Sequence, residues 1–482
     1  MKSLRLIQTA SLLVALTAIA SGQWTVTNLH PAGASRSEIK GVTGTTQFGS
    51  AIVGGVTSAG LWSGTSTSWV NLHPVNTASS RITGSDGITH YGEVQNMSFT
   101  PSAAKWFGNL SDWTGLNPSG ATSSAINSVF GGQQVGRVNI INFTDEAALW
   151  TGNAASYVNL NPAGAHSSNA FGIGGNQQVG YALFPGSNYA TASLWTGTPE
   201  SWKSLHPLGA NSSFAYATSG TMQVGIVESN SIGKASLWYG SAESWVDLSP
   251  AGSPDSCAFG ISGITQVGYV RFVGGGPRAS LWRGTSASWV NLHSLLPTVF
   301  SESIATSVYS DSAKFIVGGY GYNLVQNQYQ ALLWTFPIRR ISGSMTLENT
   351  SGQGEAGTEA INWTLGCGTN TFTGVVTVNQ LGGGTYSIEI PPGTPNGVYT
   401  LQFKGGTFLS SSYVVNLNGN NITRTIRLRN GDIDQDGEVG PGDFEAVVGQ
   451  FGSPGSADAD NDGEVGPSDF EIVVGNFGLQ DQ

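Results

Sequence analysis

The sequence predicts a mainly β chain in three parts: a seven-bladed β-propeller, a β-sandwich and a small α-helical tail. Three observations carry this reading. An aromatic-flanked motif recurs seven times between residues 24 and 334. Short runs of alternating polar and apolar residues follow between 341 and 428. Helical periodicity appears only after residue 440, in two matched amphipathic stretches. Composition agrees, since 68 of 482 residues are Gly and only 10% are charged, a balance that favours strands and tight turns.

The first element, residues 1–22, reads as a secretory signal peptide. Lys2 and Arg5 form a basic start, and Leu6 to Ala20 is apolar but short for a membrane span. Ala18-Ile19-Ala20 offers a small-x-small cleavage site, with Gly22 as a second option. No other apolar run approaches 18 residues, so the expected product is secreted or held at the cell surface, with no membrane span after cleavage. Cys257 and Cys367 are too few and too far apart for a disulfide framework and read as buried free thiols.

Residues 23–337 carry the repeat. Trp24, Trp69, Trp113, Tyr157, Trp202, Trp245 and Trp289 open successive units at spacings of 43 to 45 residues. Trp62, Trp106, Trp150, Trp195, Trp238, Trp282 and Trp334 close them. Between the two series Gln47, His90, Gln134, Gln178, Gln223 and Gln266 each stand two residues before a Gly. Each unit has room for four short strands, the size of a propeller blade. At six boundaries the closing and opening aromatics lie seven residues apart, as in a hairpin with a Gly-Thr-Ser turn. The Trp24 and Trp334 strands lack such partners, and pairing them would close the ring and hide two sheet edges. An open solenoid is the competing architecture. The L-W-x-G and Q-V-G cores resemble the extracellular HAF repeats, which implies propeller-like character and no defined activity.

Nothing in the repeats reads as catalytic. Residues 23–340 hold only 13 Asp and Glu, with Glu93, Asp145 and Glu228 as scattered singles rather than a pair for acid–base work. His30, His73, His206 and His293 share one repeat position, which suggests a metal ring. Asn117, Asn161 and Ser249 occupy the same position elsewhere, which favours a turn role. The aromatics read first as core between blades.

Residues 341–428 alternate as short strands punctuated by Gly and Pro, which predicts an antiparallel sandwich. Its Gly384-Thr385-Tyr386-Ser387-Ile388 and Gly397-Val398-Tyr399-Thr400-Leu401 runs resemble carboxypeptidase-regulatory-like, immunoglobulin-type modules. That resemblance implies a spacer or binding role.

The tail, residues 431–478, concentrates the charge. Net charge is −11, yet residues 431–482 hold 13 acidic side chains and no Lys or Arg. The rest, without the signal, balances at 17 acidic and 17 basic, so no basic footprint for nucleic acid exists. Two segments align at an offset of 26: Asp432, Asp434, Asp436, Gly437, Glu438 and Asp443 match Asp458, Asp460, Asp462, Gly463, Glu464 and Asp469. Each fits a twelve-residue calcium loop. Carboxylates at positions 1, 3 and 5 suit a hard cation, Gly at 6 permits the turn, the Glu at 7 offers its carbonyl, and Asp closes at 12. The expectation is two calcium ions. Behind each loop Phe444, Val447, Val448 and Phe451, or Phe470, Val473, Val474 and Phe477, form a helical stripe. The two stripes are expected to pack face to face.

This tandem loop–helix pattern resembles dockerins, where Asp at position 12 is frequent. The resemblance implies docking to a cohesin-bearing scaffold or cell-surface partner, often in polysaccharide-degrading systems. Positions 10 and 11, which recognise the partner in many dockerins, are Pro441-Gly442 and Pro467-Ser468. The leading functional expectation is a secreted, non-catalytic modular protein whose propeller binds a polysaccharide or protein ligand. A carbohydrate-active enzyme with its site in the propeller funnel, and a structural surface protein, are the rivals.

Overall fold

The computed structural model describes residues 24–481, apart from 109–110, 141–143, 188, 312, 349–357, 369, 380–382, 392–393 and 461. The signal-peptide assignment, residues 1–22, lies outside the described residues. Two compact units result, Trp24–Pro337 and a C-terminal unit that begins at Ile338.

Among the described residues, Trp24–Pro337 holds seven four-stranded antiparallel sheets. The first contains Ala34–Thr43, Thr46–Val53, Val56–Trp62 and Val70–Asn71, so its outer strand comes from the next repeat. This offset runs to the end. The last sheet, Phe300–Ser310, Lys314–Asn323 and Gln328–Pro337, takes its outer strand from the start of the chain, Thr25–Asn28, with Val26 opposite Trp334. The leading strand of the first sheet also packs on the last sheet, so the ring is closed and propeller-like.

The closing tryptophans fill the seams. All seven are at most 1% exposed, and each packs between its own sheet and the preceding one. Trp62, for example, meets Ile316 and Leu333 of the last sheet. Burying such side chains is the largest apolar contribution each seam can draw from one residue. The opening aromatics sit further out, where Trp202, Trp245 and Trp289 donate from Nε1 to Ser193, Ser236 and Ser280 at 2.8–2.9 Å.

Polar clasps run beside this core. In every leading strand a buried Ser accepts a backbone N–H from the preceding sheet at 2.9–3.1 Å, Ala331 to Ser37 closing the circle. The histidines of the repeat orient these serines. His30 Nδ1 lies 2.7 Å from Ser37 Oγ and its Nε2 lies 2.9 Å from Ala34 O. Asn117 makes the same pair, accepting from Ser124 at 2.6 Å and donating to Ala121 O at 3.0 Å. A neutral ring with its hydrogen on Nε2 matches the amide atom for atom, which explains why His and Asn exchange here. These histidines are inter-sheet struts, with no shared metal position among them.

Burial lowers the pKa of His30, His73 and His293, outweighing the backbone bonds that raise it at the first two; at His293 the nearby Arg278 adds to the lowering. The folded ring therefore binds fewer protons than the unfolded chain once the pH falls below 6.5, the ordinary histidine value. Stability present above that pH is lost as the pH falls toward the lowered folded values. The melting temperature of the Trp24–Pro337 unit is expected to drop by several degrees between pH 7 and 5. Combined His30→Asn, His73→Asn and His293→Asn should flatten the profile; an unchanged slope would refute the strut assignment.

Each leading strand also bulges. In the fourth sheet Ala170 pairs with Gly180 and Gly172 with Val179, leaving Phe171 unpaired. The Gly opposite the bulge is the glycine of the Q-x-G motif in five sheets, Gly92 after His90 in the second and Gly319 in the last. A Cβ on Gly180 would lie 1.8 Å from Asn169 O, and one on Gly225 1.9 Å from Phe214 O. The kinked strand presses its carbonyl onto the partner, and only a residue without a side chain admits it. The preceding Gln pins the next turn: Gln178 Oε1 accepts from Gly197 N at 2.7 Å.

The second unit begins with a sandwich. One sheet holds Arg339–Leu347, Gly384–Ile390, Ile422–Thr423 and Ile426–Leu428; the other holds Thr358–Cys367, Asn370–Asn379, Gly397–Lys404 and Ser411–Leu417. Ile341, Ile361, Leu365, Ile388, Leu401, Phe403 and Val415 fill the space between. The expectation of a wholly antiparallel sandwich is corrected, because Arg339–Leu347 pairs in parallel with the last two strands. First and last strands of a sandwich can lie side by side only in the direction their connections allow. Cys257 is buried as expected, but Cys367 is exposed at a strand end, where no core covers it.

Candidate metal centre

The two acidic loops fold alike. In the first, Asp432, Asp434 and Asp436 each present a carboxylate oxygen within 4.8 Å of the others; Asp458, Asp460 and Asp462 do the same in the second. The loop backbone enforces this. Glu438 N donates to Asp436 Oδ1 at 2.9 Å and Asp436 N to Asp434 Oδ1 at 3.2 Å. Glu464 N donates to Asp462 Oδ1 at 3.0 Å, and Gly463 N to Asp458 Oδ2 at 2.9 Å. The side chains are thereby turned inward. Gly437 and Gly463 take φ of +91° and +98°, a backbone conformation that costs other residues steric energy.

Asp443 and Asp469 lie beside the triads. Each is buried at the start of a helix, α1 (Pro441–Gln450) or α2 (Pro467–Asn476). Asp443 Oδ2 accepts from Gly440 N at 2.7 Å, and its Oδ1 from Ile433 N at 2.5 Å and Asp434 N at 3.1 Å. Asp469 repeats the arrangement with Gly466, Ala459 and Asp460. Both carboxylates lock loop to helix, and Pro at the first helical position suits the start, since that N–H has no intrahelical partner. Glu438 is exposed and accepts from Gln480 Nε2 at 3.1 Å; Glu464 is exposed.

Burial raises the pKa of Asp434, and the charges of Asp443, Asp436 and Asp432 push the same way. Asp460 is raised by burial and by Asp469 and Asp462. Like charges held this close make each triad an unfavourable place for anything but a cation. Three hard oxygen donors within 4.8 Å of one another fit a hard divalent ion such as calcium in charge and donor type.

The helices pack differently from expectation. Val447, Ile472 and Val473 are buried with Ile433, Val439, Val465 and Leu409, and Phe444 meets Phe470 with ring centroids 5.0 Å apart. Val448, Phe451, Val474 and Phe477, however, are 51–55% exposed. The stripes are therefore only half used, because the loops and the sandwich supply the other side of the core. The halves interlock: after α1, Gly452 N donates to Val465 O of the second loop, and after α2, Gly478 N donates to Val439 O of the first.

Sequence reasoning missed the sandwich's part in the centre. Leu409 sits in the helical core, Ser410 N donates to Asp481 at 2.7 Å, and Lys404 pairs with Asp432. Asn430 Nδ2 donates to Ala459 O at 2.6 Å, tying the two loops together. Lys404 and Leu409 lie outside the repeated motif, so its spacing carries no trace of them.

No protein-family model matches the chain, and no curated protein does. Solved structures with partial likeness include the β-propeller domain of the Trilobed protease from Pyrococcus furiosus (8% identity, 63% of this chain and 97% of that one, TM-score 0.45). Puromycin hydrolase gives 10% identity over 63% of this chain and 56% of its own, TM-score 0.42, so the match spans little more than half of that protein. An interface mutant of a type II cohesin–X-dockerin complex from Acetivibrio cellulolyticus gives 19% identity over 30% of this chain and 97% of that one, TM-score 0.23. Among the described residues no helix is long and apolar enough to cross a membrane.

Proposed function

We propose that this is a secreted modular protein in which a seven-bladed propeller serves as a binding platform and a dockerin-like module, loaded with two calcium ions, attaches it to a cohesin-like partner on a scaffold or cell surface. One observation carries the docking part. Val448 and Phe451 of α1 and their counterparts Val474 and Phe477 of α2 are all more than half exposed, a duplicated apolar face beside two metal loops. Isolated exposed apolar residues are ordinary, whereas a duplicated set on paired helices suits a partner groove. Calcium fixes the loops from which both helices start, so the face is presented only in the loaded state.

The binding-platform part rests on the ring itself. The lining of its central cavity contains no Asp or Glu among the described residues. Glu93 and Asp145 are engaged by Arg81 and Arg137, each at 2.9 Å. Recognition therefore suits the funnel better than acid–base hydrolysis.

The test is a pull-down from the source organism's secreted proteins with residues 338–482 as bait, in calcium and in EDTA. A cohesin-bearing protein is expected in calcium alone, and Val448→Glu with Phe477→Glu should reduce capture at least ten-fold. Equal capture by the double variant would remove the helix face as the interface, and no capture in calcium would leave calcium a purely structural role.

A further inference from the structure

Seven β-bulges, one from each leading strand, converge. The unpaired residue of each leading strand lines one central cavity of about 280 Å³. Three successive sheets contribute Phe171, Tyr216 and Phe259; the other four contribute Lys40, Thr83, Asn127 and Thr306. A bulge re-aims its side chain, and here the re-aiming produces a ring divided into an aromatic arc and a polar arc.

The aromatic arc is continuous. Ring centroids are 5.4 Å apart from Phe171 to Tyr216 and 5.3 Å from Tyr216 to Phe259. Tyr181, Phe214 and Tyr269 extend it at 5.3–6.2 Å, and all six rings are only partly buried. The polar arc has its donors committed. Thr83 Oγ1 donates to Ile126 O, Thr306 Oγ1 to Ile39 O at 2.7 Å, and Asn127 Nδ2 to Asn169 Oδ1 and Ala170 O, both at 2.8 Å. On these three residues acceptor oxygens remain for a ligand, while Lys40 adds an ammonium group. Lys40, the one ionic member, lies 3.4 Å from the carboxylate of Glu38, which stands outside the lining.

A ligand for this cavity needs an apolar face for the aromatic arc, whose neighbouring rings are inclined by 34° and 53°, hydroxyl donors on its opposite edge and the size of a ring or two. We infer that the cavity binds a neutral saccharide, one sugar ring stacking its C–H face on Phe171, Tyr216 and Phe259 while its hydroxyls donate to Thr83, Asn127 and Thr306. Stacking on side-chain rings supplies the affinity, and the oxygens of Thr83, Asn127 and Thr306 orient the hydroxyls. The inference rests on the binding-platform reading and is independent of the docking helices.

The test titrates the full chain, in calcium, with cellohexaose, xylohexaose and mannohexaose by calorimetry, alongside an oligogalacturonate and a proline-rich peptide. At least one neutral hexaose is expected to bind, with Tyr216→Leu and Phe259→Leu each weakening it at least ten-fold at unchanged melting temperature. Upfield shifts of sugar C–H protons with the unaltered protein report the stacking without any substitution. Binding that ignores both substitutions, or lacks the shifts, overturns the site. Peptide or oligogalacturonate binding through the same residues overturns the saccharide but keeps the platform, whereas silence from every probe removes both.

Discussion

Stripping calcium from residues 338–482 is expected to melt α1 and α2 while the sandwich strands stay folded. Six Asp side chains gathered in two triads, with Asp443 and Asp469 close behind, repel one another, and Lys404 offsets only Asp432 of the first triad. Only a small shared core of Val447, Ile472, Val473 and their neighbours opposes that repulsion. Calcium at about 1,000 times its Kd stabilises a single site by about 4 kcal/mol, enough to decide whether so small a module folds. Circular dichroism at 222 nm should lose its helical component in EDTA and regain it with excess calcium. Asp434→Ala with Asp460→Ala should abolish the response. Helices that persist in EDTA at an unchanged melting temperature would remove metal from the folding of this module. The tested piece must include the sandwich, because Leu409, Ser410 and Lys404 belong to the module's surroundings.

The second large effect is expected in the ring. Gly225→Ala should destabilise the Trp24–Pro337 unit by about 3 kcal/mol or more, at the upper end of overpacking costs. The new methyl would meet Phe214 O at 1.9 Å, and that carbonyl is held by the bulge at Tyr216 rather than by a movable side chain. Gly240→Ala is the comparison. Its φ of +83° is unfavourable for alanine, yet no atom lies within 4 Å, so a loss of about 1 kcal/mol from conformation alone is expected. Similar urea midpoints for the two variants would show that the close approach does not govern the motif glycine.

Much of this architecture was legible in residue order. The aromatic spacing marked out seven units, and the strands of Trp24 and Trp334, left over at either end, are the ones that meet in the last sheet. The offset of 26 aligned both loops, and Asp432, Asp434, Asp436, Asp458, Asp460 and Asp462 come together as triads. Less was legible about partners. The Q-x-G glycine was visible as a repeat mark, but its cause is a bulge on another strand. Asp443 and Asp469, matched to a ligand position, stand at the helix starts, and that they also accept backbone N–H groups there was not visible in the spacing. Cys367 read as buried and is exposed.

Sequence by itself determined the local and periodic features: how many units repeat, which loop glycines permit a left-handed turn, and which carboxylates share a loop. Those depend on neighbours a few residues away, or on a repeat that the chain states many times over. Tertiary structure alone decided three things: that seven unrelated-looking residues share one cavity, that half of each helical stripe stays exposed, and that a lysine of the sandwich reaches the first acidic loop. Each joins side chains brought close by packing between separate strands or helices. A contact of that kind obeys no fixed spacing along the chain, and so leaves no periodic mark in it.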